Sequence, residues 1–159
     1  MREVKEAFDN ELLRHVLKDF AYELMKHSTG DILNVMREAE LSMPQLVTLM
    51  FLSRCRTASI SHISDHLNLS LGATSHLVDR LFVGGFVERT EGRNDRRQKL
   101  VTLTDAGTAF VERAKQARVE ELARRLGQLP APLVQNLIDV MAEVIGHVRS
   151  NDGDSRPRC

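Results

Sequence analysis

The chain has 159 residues, the length of one domain, or of one domain with long helical extensions. Its 22 basic and 22 acidic residues cancel, which on the total alone argues against a nucleic-acid partner, and two cysteines are too few for a disulfide framework or a four-ligand zinc site. No signal peptide and no run of about 18 apolar residues is found, so the reading is a cytoplasmic protein without a membrane partner. The absence of Trp and a single Tyr fit a helical protein packed on Leu, Val, Ile and Ala.

The charge is not spread evenly. Residues 1–40 carry 6 basic and 9 acidic groups, residues 41–100 carry 8 and 5, and residues 101–159 carry 8 and 8. Positive charge is thus gathered in the middle third and negative charge placed ahead of it, the footprint of a segment that meets phosphate.

In chain order, Phe8, Leu12, Leu13, Val16, Leu17, Phe20 and Leu24 form one apolar stripe between Arg2 and His27, the pattern of a helix of about 25 residues. Residues 31–41 continue it past Gly30 or form a short helix of their own. A third helix starts after the cap Ser42, with Pro44 in its first turn, and runs to Cys55 with Leu46, Val47, Leu49, Met50 and Leu52 toward the core. The link 56–58 has the length for a minor strand. Ser59 to Leu67 is helical, with Ile60, Ile63 and Leu67 inward and Ser61, His62, Asp65 and His66 outward; Asn68 ends it.

Ser70 then caps a second short helix, because its hydroxyl accepts from one of the first unsatisfied backbone N–H groups. Thr74, Leu77, Val78, Leu81 and Phe82 share its core face, and Gly72, His76, Asp79, Arg80 and Val83 the opposite one. Gly84 and Gly85 supply the left-handed conformation that stops it. Phe86 and Val87 begin a strand, Lys99 to Leu103 forms the return strand, and between them Arg93, Arg96 and Arg97 concentrate positive charge on a projecting tip. Thr104 caps a long helix to about Leu126, ended by Gly127 and Pro130. Pro132 opens the last helix, whose apolar residues from Leu133 to Val148 cover about 160° of the wheel. The tail 151–159 is expected to be disordered.

Helix, tight turn, helix and a two-stranded hairpin with a basic tip make a helix-turn-helix with a wing, whose natural ligand is duplex DNA. The expected fold is mainly α with a small β-wing: a winged helix-turn-helix at about 42–107, flanked by dimerisation helices at 1–40 and 108–150 within one unit of residues 1–150. On the wing, Asp95 orients Arg97 for the minor groove or a phosphate bridge, and Arg93, Arg96 and Lys99 add phosphate contacts. From the second helix Ser75, His76 and Arg80 are the candidates for base or phosphate contact, and Gly72 permits close approach. Ser61 and His66 on the preceding helix reach the backbone. The first and last helices carry more apolar surface than a small winged-helix core can hide, which points to a homodimer.

The run Asp95, Arg96, Arg97, then Val101, Leu103, Thr104 and Gly107 resembles the wing signature of the MarR family, the multiple antibiotic resistance regulators. Ser70, Thr74, Ser75, Leu77, Val78, Asp79, Arg80, Leu81 and Gly85 resemble that family's recognition helix and its exit. Leu71 and Gly72 depart from the Pro and small polar residue often found after the cap, and His76 stands where Arg or Lys is frequent, so the operator sequence does not carry over. The resemblance implies a homodimeric, DNA-binding transcriptional repressor acting on a pseudo-palindromic operator. It also implies an effector pocket for small phenolic or aromatic compounds between the dimer helices and the winged domain; His15, Tyr22 and His27 are its candidate lining.

His62 and His66 stand at i and i+4 with Asp65 between them and His76 one helix away, but nothing completes a metal coordination sphere. Cys55, flanked by Arg54 and Arg56, is a packed residue or a redox-sensing thiol. A winged-helix module for architectural binding or protein association is the remaining non-enzymatic alternative. No hydrolase, P-loop or dinucleotide-binding motif is present, so no enzyme activity and no cofactor are expected.

Overall fold

The computed structural model describes residues 10–26, 30–91 and 99–151. The readings that place Arg93, Asp95, Arg96 and Arg97 on the wing tip, His27 in an effector pocket and 151–159 in a tail fall wholly or mainly outside the described residues. The elements are α1 (Asn10–Met25), α2 (Gly30–Glu38), α3 (Met43–Cys55), β1 (Thr57–Ser59), α4 (Ile60–Leu67), α5 (Leu71–Val83), β2 (Val87–Glu91), β3 (Lys99–Leu103), α6 (Asp105–Leu126) and α7 (Ala131–Asn151). Chain order therefore follows the sequence reading closely, with α2 a separate helix rather than a continuation of α1.

Local chemistry sets these boundaries. The Ser42 backbone N–H and hydroxyl both donate to Gln45 Oε1, each at 2.8 Å, which fixes the start of α3. Ser59 accepts from the His62 N–H at 3.2 Å and Ser70 from the Ala73 N–H at 3.2 Å, so α4 and α5 each open on a serine cap. Asn68, at φ 53°, ends α4 in the left-handed region. Of the two glycines after α5, only Gly85 is left-handed, at φ 74°. Gly84 keeps helical angles, so the expectation for the pair holds for one residue: a single left-handed residue is enough to turn the chain.

The sheet has the order β1-β3-β2, antiparallel throughout. The link after α3 does contribute its minor strand, pairing Ala58 with Val101. Val87 faces Leu103 at the base of the hairpin and Glu91 faces Lys99 where the wing leaves the body. Beneath the sheet, Leu46, Leu49, Leu52, Ile63, Val78, Leu81, Val101 and Val111 are buried together with Phe110 and Ala114. One face of α2 joins them through Met36.

The helices at the two ends behave differently. Among the described residues, α1 and α7 contribute none of the buried hydrophobic side chains. Leu12, Leu13, Val16, Leu17 and Phe20 on α1, and Leu133, Ile138, Val140, Met141, Val144, Ile145 and Val148 on α7, stay 39–59% exposed.

Candidate nucleic-acid interface

The core fixes which face α5 turns outward. Thr74, Val78 and Leu81 are fully buried, and the Thr74 hydroxyl donates to the Ser70 carbonyl at 3.0 Å, so this residue belongs to the packing. The opposite side carries Gly72, His76 and Arg80, all exposed, with Ser75 half-buried beside them. Arg80 has no ion-pair partner among the described residues, so its guanidinium is available to a phosphate or a base edge. A Cβ added at Gly72 would meet nothing within 4 Å, so the flatness of the first turn at that point is not demanded by the fold.

Two assignments on this helix change. Phe82, read as core, is 50% exposed; its ring lies instead under the Arg89 guanidinium, 5.5 Å from centroid to charge. Asp79, read as groove-facing, accepts from Arg89 Nη2 at 2.5 Å. Arg89 thus ties α5 to β2 through one ion pair and one ring contact. It went unnoticed in the sequence although a signal existed: period-two alternation puts Arg89 on the same side of β2 as buried Val87, where an arginine needs an acidic partner.

The residues around the wing base explain the rest of the motif. Thr104 Oγ1 accepts from the Gly107 N–H at 3.0 Å and donates to the Gly85 carbonyl at 2.7 Å, locking the start of α6 to the turn after α5. Gly107 lies so close to that turn that a Cβ would sit 2.0 Å from the Phe86 carbonyl oxygen. Thr104 and Gly107 therefore set the seat of the wing and do not themselves face a groove. Lys99 is exposed at the first position of β3, beside the tip.

On α4, Ser61 and His66 are exposed as expected. The His66 ring is stacked on Phe51 of α3, with centroids 4.1 Å apart and planes 17° from parallel, so it is held against the body. His62, Asp65, His66 and His76 form no metal-binding cluster among the described residues.

Of the effector and redox candidates, His15 and Tyr22 lie on α1 and Cys55 at the end of α3. His15 pairs with Asp19 at 3.3 Å on an exposed face of α1, and Tyr22 is 63% exposed. Neither lines the cavities between α2 and α6 or the one beside Arg80. Cys55 is half-buried at the end of α3. No helix among the described residues is long and apolar enough to cross a membrane.

A three-stranded sheet, a short helix pair with its second helix turned outward, and a hairpin projecting beside it define a winged helix-turn-helix. Residues 41–99 match the family model for MarR, described as the MarR family. A protein of Bacillus subtilis strain 168, described as an uncharacterised HTH-type transcriptional regulator YfiV, is 40% identical over 76 residues, 48% of this chain and 47% of its own. The chain spans about half the length of the curated relatives it matches first. Among solved structures, the transcriptional regulator Tm0710 of Thermotoga maritima superposes with a TM-score of 0.75 at 18% identity, covering 91% of this chain and 99% of that one. The MepR–DNA complex of S. aureus gives 0.64 at 16% identity, covering 82% and 98%. At those identities the likeness is one of fold.

Proposed function

We propose that the protein is a MarR-type transcriptional regulator that binds duplex DNA as a homodimer and represses by occupying a pseudo-palindromic operator. The observation that carries this reading is the outward face of α5, where Gly72, His76 and Arg80 are exposed while the Asp79–Arg89 pair straps the helix to the wing. In support, the S. aureus relative of like fold has been solved on DNA. The reading is of a regulator and not an enzyme. A dimer joined through α1 and α7 sets two recognition helices about one DNA turn, roughly 34 Å, apart. An effector of the small aromatic or phenolic class, bound between the dimer helices and the winged domain, then acts by changing that separation.

The test is selection of a duplex from a random pool by the purified full chain, followed by affinity measurement against salt. A two-fold-related consensus whose binding falls steeply with salt supports the regulator. Equal binding of every duplex favours the architectural alternative. In the same assay Arg97→Ala is expected to weaken binding by roughly tenfold, one lost charge-assisted contact, with the melting temperature unchanged. Unchanged affinity removes the wing tip from the mechanism.

A further inference from the structure

Where α6 passes the N-terminal end of α2, a cavity of about 560 Å³ lies on the helical arm, walled by Gly30, Asp31, Glu121, Arg124, Arg125 and Gln128. None of these residues comes from α3, α4, α5 or the sheet. The cavity is therefore separate from the DNA-facing surface and from a crevice against the winged domain.

Two of its charges are already matched. Arg124 donates to Asp31, and that hydrogen bond is the first cause holding the Arg124 guanidinium above its ordinary basicity. Glu121 adds a smaller charge attraction to Arg124, but neither it nor Arg125 forms an ion pair among the described residues. Glu121 is 6% exposed, the one charged side chain in the buried set among the described residues, and its Oε2 has no hydrogen-bond partner. Arg125 follows four residues later on the same helix face, half-buried. Glu and Arg at that spacing commonly pair, yet none of the ion pairs among the described residues includes either one.

A buried carboxylate oxygen without a donor is costly. A simple cation meets repulsion here from Arg124 and Arg125, and a simple anion meets it from Glu121 and Asp31. A molecule carrying both charges a few bonds apart presents the opposite charge to Glu121 and to Arg125 at once. We propose that this cavity binds a small zwitterion of the α-amino-acid class, its ammonium set against the Glu121 carboxylate and its carboxylate accepting from Arg125. The volume falls in the range of small-molecule sites, about 300–1,000 Å³.

Titration calorimetry of the full chain, without DNA, against each of the protein L-α-amino acids tests this. At least one is expected to bind with Kd below about 1 mM. Glu121→Gln and Arg125→Gln should each weaken that binding by roughly tenfold or more, the loss of one charge-assisted contact. Propionate and ethylammonium, each half of the ligand, should bind weaker than the amino acid by a similar factor. Removing an unmatched buried charge should leave the melting temperature of Glu121→Gln at or above the parent's; if that variant unfolds, Arg125→Gln carries the test. Three results overturn the proposal: no amino acid binding tighter than about 10 mM, a folded variant that binds as the parent does, or ethylammonium binding as tightly as the amino acid. Duplex affinity, measured separately on the same variants, stays at the parent level, so failure here is distinct from failure of the DNA-binding reading.

Discussion

Two glycines of the winged region are small for different reasons, and substitution separates them. At Gly107 the intruding neighbour is a backbone carbonyl, 2.0 Å from an added Cβ, which no rotamer change can move aside. Gly107→Ala is therefore expected to cost about 3 kcal/mol, a fall in melting temperature of roughly 6–12 °C. A shift under about 2 °C would mean the turn after α5 repacks freely. At Gly72 the added methyl enters open space on a helix. Gly72→Ala should raise stability by about 0.5–1 kcal/mol through helix propensity while weakening duplex binding, because the methyl stands between the first turn and the bases. Stability and affinity moving together would contradict that division.

Arg89 belongs to the same scale. It holds Asp79 at 2.5 Å and covers Phe82, but Asp79 is 48% exposed and Arg89 23%, so solvent weakens the pair. A double-mutant cycle of Asp79→Ala and Arg89→Ala on melting free energy should give a coupling of about 1 kcal/mol. Additive losses would show that the two side chains meet without bracing the helix against the wing.

At the scale of elements, caps and stripes do different work. Ser42, Ser59, Ser70 and Thr104 start helices through bonds that span three residues, which is why these helix starts could be read from the sequence. The stripes of α1 and α7 are equally plain in the sequence, but what they pack against is not encoded locally. Within one copy they remain exposed, and an apolar surface of that extent marks an interface. If the proposed homodimer forms, Val144→Glu combined with Ile145→Glu on α7 should convert it to a monomer in sedimentation at micromolar concentration while leaving the far-ultraviolet dichroism intact. A variant that still sediments as a dimer would place the interface elsewhere.

At the scale of the whole molecule, patterns that depend on a few neighbouring residues were legible in advance. They include the order of helices, the minor strand after α3 and the outward face of α5. Hydrophobic period and capping chemistry act within a turn or two, so they survive in the linear string. What only the folded chain decided were pairings between distant elements: Arg89 with Asp79, Phe82 drawn out of the core to lie under that arginine, His66 stacked on Phe51, and Thr104 bridging to Gly85. Glu121 belongs with them, since nothing about its place on a polar helix announces that α2 will bury it without a donor. Each of these depends on how two elements meet in space, and that geometry is set by the whole core rather than by any spacing along the chain.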